Sequence, residues 1–398
     1  MDRVYFDHCR STFVDEEVIK EMNIWMKEKY WTPAPFTSTG TEAWEAIEEA
    51  QKVWASFFGG KPDEVEFGPS EIVVANTAIR GVVDAYWKKY GKIPHVITTE
   101  IEPGSTILSI LKKLEKAQKV EVTYLKVNND GMVDLDDVKN AIRDNTAMVV
   151  MADVNFMVGT VQDVPTIGKV IKEKKEDVVF VIDATRSLGR TPRWKYADFA
   201  DVVFTDAHRI HGPKNSSVIW VKKGVSIVPT IWGSVRHFNL TQEKPDIPTI
   251  RGGMKALQLM LEDYDEKYNK MKKLQTMLIS GLLEKVPETQ INGPWPEHRS
   301  PSNVCVTFKY IEGEAVQMYL DMNGITVDTG SACANPFLQA NHVILALYND
   351  YARAHGSIRM ILSWYNTEDD VKRFLEVVPD VVATLRKISP VAPEIYKK

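Results

Sequence analysis

The sequence predicts an α/β protein, with a mostly parallel sheet covered by helices on both faces and a smaller α+β domain after it. Three observations predict this. From about residue 70, short apolar runs alternate with amphipathic stretches, the pattern of strands joined by crossover helices. A long amphipathic region follows at about 255–286, and a last segment mixes strands with helices. Between them, Ile291-Asn292-Gly293-Pro294-Trp295-Pro296 is a turn-rich hinge.

In chain order, residues 71–75 read as a strand and 77–90 as a helix. Residues 95–99 form a second strand, 105–117 a helix, 120–126 a strand and 135–143 a helix. The runs 147–153, 178–183, 202–205 and 217–221 are short, apolar and bounded by polar residues, as strands buried on both faces are. Beyond the hinge, 303–308 and 357–362 read as strands, and 314–322 and 367–385 as helices.

The 398 residues suffice for one large domain and a smaller one. Net charge is −5 with no basic block, which argues against nucleic acid as the main partner. No run reaches the roughly 18 apolar residues of a membrane span, and the first residues lack an apolar signal region. Three cysteines make no disulfide framework, so a reducing cytoplasm is the expected location.

Several motifs, in order and along nearly the whole chain, resemble those of the cysteine desulfurases. Tyr5-Phe6-Asp7 resembles the opening Tyr-Leu-Asp of that family. Met157-Val158-Gly159-Thr160-Val161-Gln162-Asp163-Val164 resembles Glu-Ile-Gly-x-x-Gln-x-Ile, and Val181-Ile182-Asp183-Ala184-Thr185-Arg186-Ser187-Leu188-Gly189 resembles His-Val-Asp-Ala-x-Gln-Ser-x-Gly. Thr329-Gly330-Ser331-Ala332-Cys333 is similar to the segment of the catalytic cysteine, and Ser357-Ile358-Arg359-Met360 to Ser-Ile-Arg-Leu. The chain is thus identified as a member of the NifS/IscS-like group of class V, fold-type I pyridoxal phosphate (PLP) enzymes. Some archaeal members of that group lack the lysine that carries PLP as an imine, and the C-terminal third resembles them most.

The resemblance implies a seven-stranded, mostly parallel sheet. It also implies an N-terminal arm (1–20) belonging to the small domain, a large domain (21–255), a connecting long helix (256–290) and a small C-terminal domain (291–398). By the same resemblance, Asp183 pairs with the pyridinium nitrogen and Asn155 lies near the ring hydroxyl. Thr77 binds phosphate at the start of a helix, His208 precedes the imine position, Arg359 clamps a substrate carboxylate, and Cys333 takes up sulfur.

Other positions depart from the pattern. Phe204-Thr205-Asp206-Ala207-His208-Arg209-Ile210-His211-Gly212-Pro213-Lys214 is similar to the segment carrying the imine lysine, but Arg209 stands in its place. A guanidinium stays protonated and is not a usable amine nucleophile. Pro103 stands where the family has a histidine stacked on the ring, and Arg186 where it has a glutamine. Asp206 replaces a serine that contacts the phosphate. A carboxylate there repels a phosphate by about 4 kcal/mol at ~4 Å in an intermediate dielectric. Arg186 and Arg209 are expected to pair with Asp206, Asp183 or an anionic ligand. The partner subunit's threonine has no clear counterpart in 239–248.

Cys305 reads as strand packing. Cys9 borders the pocket, where desulfurases use no cysteine; it is either an ordinary loop residue or a metal or cluster ligand. Cys333 is either a plain small core residue or, as the resemblance implies, a persulfide carrier or cluster ligand. Asp206, His208, His211 and Asp183 form a candidate divalent-metal set, and Lys214 is a candidate for a relocated amine. Trp364 is expected to narrow the substrate channel.

The leading expectation is a desulfurase-like homodimer of sulfur mobilisation or iron–sulfur assembly. It lacks covalent PLP and works with a scaffold or sulfur-acceptor protein. Two alternatives stand beside it: a lysine-free enzyme that binds PLP non-covalently, and a repurposed enzyme on an anionic ligand held by Arg186, Arg209 and Arg359.

Overall fold

The computed structural model describes residues 3–231, 245–330 and 340–397. Its twelve strands, in chain order, are β1 (Val4–Tyr5), β2 (Val65–Gly68), β3 (His95–Thr99), β4 (Glu121–Leu125), β5 (Thr146–Ala152), β6 (Val179–Asp183), β7 (Val202–Asp206), β8 (Ser217–Val221), β9 (Thr289–Ile291), β10 (Asn303–Phe308), β11 (Ile325–Thr326) and β12 (Ser357–Ile361). Seven form the main sheet in the order β2-β8-β7-β6-β5-β3-β4. The pairs from β7 through β4 are parallel, and β8 is antiparallel to both of its neighbours. Strands β3, β5, β7 and β8 are buried throughout. Such strands, covered by helices on both faces, appear in a sequence as unbroken apolar runs.

One covering helix differs from the sequence expectation. Residues 71–75 are the first turn of the helix Glu71–Tyr90, not a strand. The β-branched run Ile72-Val73-Val74 imitates a strand, but Ser70 caps the helix by accepting from Val73 N at 3.3 Å. Gly91 closes the helix at φ 62°, where a side chain would be strained. The edge strand is the preceding β2. The single long helix expected at 256–290 is two helices, Ile247–Leu261 and Tyr264–Lys285, broken where Asp263 takes φ 51°.

A second core joins Val4 and Phe6 to the helices Tyr264–Lys285 and Glu368–Ile388 across β10 and β12. Strand β1 pairs with β11, and Asp7 bridges to Ile361, so the N-terminal segment runs along this second core before crossing to the main sheet. That path carries Cys9 to the ends of the parallel strands. Ligands of open α/β sheets bind there, beyond the strands' carboxyl ends.

Candidate active site at the carboxyl ends of the parallel strands

A cavity of about 1160 Å³ opens beyond β3, β6 and β7. Its wall includes Cys9, Glu71, Pro103, Arg186, Arg209 and Arg359. Asp183 ends β6 and is fully buried. Its Oδ2 accepts from Thr106 Oγ1 at 2.7 Å and its Oδ1 from Thr185 N at 3.0 Å and from Thr185 Oγ1. Both carboxylate oxygens are therefore engaged within the chain. Asn155 is engaged in the same way: its Nδ2 donates to Ile101 O at 2.9 Å, and its Oδ1 accepts from Met157 N and Val158 N at 2.9 and 3.0 Å. Its amide shapes the loop after β5.

Thr77 does not open a helix, contrary to expectation. It lies fully buried in the second turn of Glu71–Tyr90, and its hydroxyl donates to Val73 O at 3.0 Å and meets Thr230 Oγ1 at 3.1 Å. The residue that the helix start presents to the cavity is Glu71.

Glu71 is the site residue that the sequence analysis missed. Its Oε2 lies 2.7 Å from Arg209 Nη1, and its Oε1 accepts from Arg186 Nη1 at 2.9 Å. Arg209 also donates from Nε to Cys9 O at 2.9 Å. The expected pairing with Asp183 holds for Arg186 at 3.9 Å, but Glu71 holds both arginines at shorter range and, among the described residues, neither pairs with Asp206. Burial alone would raise the Glu71 pKa, but the two guanidiniums outweigh it and hold the carboxyl at about 2.

Asp206 ends β7 and caps the turn Ala207–Ile210, accepting from His208 N at 2.8 Å. His208 Nδ1 lies 2.7 Å from the same oxygen, and Ser217 donates to the other. His211 points elsewhere, with Nε2 2.6 Å from Ser363 Oγ and its ring against Trp364. No group of three metal-ligating side chains is assembled among the described residues, so the set of Asp206, His208, His211 and Asp183 is not brought together. The groups around Cys9 are chiefly cationic, unlike a metal-ligand set. Trp364 is buried against His211 and Gly189 and does not line the cavity, which corrects its expected place in the channel.

Arg359, on β12, is buried. Its Nη2 pairs with Asp328, its Nη1 donates to Phe156 O at 2.8 Å, and its Nε has no partner among the described residues. Asp328 closes part of the fork expected to clamp a carboxylate. Lys214 is exposed on the cavity wall. Cys305 lies on β10, fully buried, with its thiol pKa pushed up by burial. Cys333 lies outside the described residues.

Behind Pro103, buried Glu102 accepts from Thr99 Oγ1 at 2.6 Å and Ala152 N at 2.8 Å. Burial pushes its pKa up to about 8, with Asp183 and Asp153 adding to the rise. A carboxyl raised in the folded state stabilises most below its unfolded pKa of about 4.3, and this contribution is lost as pH rises toward 8. Glu102→Gln keeps the shape without the proton. Between pH ~5 and ~8 the wild type is expected to lose about 1.4 kcal/mol per pH unit relative to this variant. Urea denaturation of both across that range checks it, and parallel profiles would refute it.

Comparison with known proteins accords with this architecture. A solved NifS-like protein superposes with a TM-score of 0.88 at 30% identity, covering 96% of this chain and 100% of its own. The fold is that of a PLP-transferase. Residues 4–374 match the family "Aminotransferase class-V". The chain is 36% identical to the cysteine desulfurase IscS of Methanosarcina thermophila, over 99% of this chain and 95% of the relative. It is 34% identical to cysteine desulfurase IscS 1 of Archaeoglobus fulgidus, over 97% and 98% respectively. The chain belongs to the class-V aminotransferase family, in its NifS/IscS-like group.

That family is PLP-dependent. The residues here do not fit PLP held as an imine at position 209. Position 209 offers a guanidinium locked to Glu71 and Cys9, the Asp183 carboxylate is engaged by Thr106 and Thr185, and two carboxylates, Glu71 and Asp206, line the cavity.

Proposed function

We propose that this chain is a sulfur-mobilisation or iron–sulfur-assembly protein of the NifS/IscS-like group that works without an imine-bound PLP. One observation carries the reading: Glu71 holds Arg209 and Arg186 together across the place where the family presents an amine. A lost lysine alone could be a single accident. A buried carboxylate matched to both replacement arginines is a built alternative, because a buried guanidinium needs a partner to offset its desolvation.

The protein acts as a homodimer in the cytoplasm, and Cys333 carries a persulfide or ligates a cluster shared with a scaffold or sulfur-acceptor protein. Support comes from the group's relatives, which are named cysteine desulfurases, and from the match of the Cys333 segment. Either role needs a thiolate.

Anaerobic purification followed by absorbance spectroscopy, with and without added PLP and cysteine, tests this. The expected result is no release of alanine and sulfide from cysteine. Any broad charge-transfer absorbance is expected to disappear in Cys333→Ala. A PLP band together with alanine and sulfide release would overturn the reading in favour of a lysine-free desulfurase.

A further inference from the structure

The segment that crosses between the two cores places a thiol among the arginines. Cys9 lies at the floor of the large cavity and also lines a crevice of about 10 Å³ with Arg186, Arg190 and Arg209. That volume accepts about one atom the size of a water.

Four of the five arginines that line these pockets with Cys9 have a carboxylate: Glu71 serves Arg186 and Arg209, Asp328 serves Arg359, and Asp7 and Asp328 serve Arg10. Arg190 has none among the described residues. It is 2% exposed, donates from Nη2 to Arg209 O at 3.0 Å, and leaves Nε without a partner among the described residues. Arg359 Nε, in a side chain 5% exposed, is likewise without a partner among the described residues. Buried guanidinium nitrogens of this kind call for an anion. The crevice therefore holds a buried thiol and a buried cation with no carboxylate of its own.

We infer that Cys9 is a second sulfur site of this protein, a thiolate that accepts sulfane sulfur from a low-molecular-weight persulfide bearing a carboxylate. This rests on the sulfur-handling reading above. The Cys9 thiolate attacks the outer sulfur of R–S–SH, and the S–S bond of the donor breaks. R–S⁻ leaves, and Cys9–S–SH forms with the proton still on the transferred sulfur. Charge and oxidation level are conserved, so no separate oxidant is needed. Arg190 lines the crevice and Arg359 the large cavity, so cationic charge flanks Cys9 on both sides as the anion approaches, and the crevice has room for the added atom.

The electrostatics agree with the geometry. Burial disfavours the Cys9 thiolate, but Arg359, Arg186 and Arg209 outweigh burial and bring its pKa below that of an ordinary thiol. Asp7, on the same segment, opposes them. Tyr5, also on that segment, has its hydroxyl pKa pushed up to about 12 and is uncharged. Burial lowers the Arg190 pKa to about 10, and the charge of Cys9 works against that loss.

The test uses the full chain in a Cys333→Ala background, anaerobic and without PLP. The expected result is that iodoacetamide alkylates Cys9 with a pH midpoint below the ~8.5 of a free thiol. With cysteine persulfide as probe, the Cys9 peptide gains one sulfur atom, which dithiothreitol removes. Arg190→Gln is expected to slow this uptake about tenfold, whereas Arg190→Lys, which keeps the charge, retains it; circular dichroism confirms that both fold. An unmodified Cys9, an ordinary thiol midpoint, or equal uptake in Arg190→Gln would each overturn the inference. PLP-dependent cysteine turnover by the wild-type chain, measured separately with added PLP, would instead overturn the proposed function and leave these readouts intact.

Discussion

Glu71→Ala is expected to destabilise the protein by about 3–5 kcal/mol, the cost of removing one partner from a buried ion pair. The variant strands two guanidiniums at once, since both Glu71 oxygens are engaged by Arg186 and Arg209. Arg186 keeps its bond to Thr185 Oγ1 and the 3.9 Å approach to Asp183, and Arg209 keeps Cys9 O. The pH dependence follows from the depressed pKa. Glu71 is held at about 2 in the folded chain, so its stabilising effect is complete above the unfolded value of about 4.3 and is lost as pH falls toward 2. The gap between wild type and Glu71→Gln is therefore expected to be widest at neutral pH and to shrink below pH ~4. Urea denaturation at pH 7 and pH 3 measures both. The exposed pair Lys309–Glu288 serves as the control, and its disruption should change little. A Glu71→Ala variant as stable as wild type would mean that the arginines find other partners, and the argument for a built replacement of the lysine would fall.

The part of the fold that the sequence discloses is the part that obeys a local rule. Strands β3 and β8 fall where the apolar runs place them because both faces of the sheet are covered. Residues 71–75 mislead because a β-branched run of that length is equally compatible with a helix start, and only Ser70 and the acidic Glu71 signal the cap. The same misreading conceals the site. Glu71 meets Arg186 115 residues away and Arg209 still further along, and a single sequence carries no record of such a pairing. What it does carry is the excess of arginine at two pocket positions. That excess demands a carboxylate from somewhere, and a helix that opens on glutamate at the pocket was the available source. Cys9 is a similar case: its neighbour His8 and its loop context are visible in the sequence, but the arginines from three other segments that favour its thiolate are brought to it only by the fold.

Restoring the lysine alone is expected to fail. Arg209→Lys places an amine beside Glu71, where the carboxylate holds it as a charged ammonium. An ammonium is not a nucleophile. Incubation with PLP followed by borohydride reduction should therefore leave residue 209 unmodified. Adding Glu71→Gln removes the countercharge and leaves Arg186 and Arg190 as neighbouring cations, so like charge disfavours protonation of the lysine. Each unit by which its pKa falls raises the free-amine fraction about tenfold. The double variant should be labelled at residue 209 at least ~10-fold more than the single one. Peptide mapping separates this from labelling at Lys214, which is exposed on the cavity wall and would mark a relocated amine. Equal labelling of single and double variants would show that Glu71 does not control the position. In that case the loss of the lysine, with no built replacement, would be the whole difference from the family.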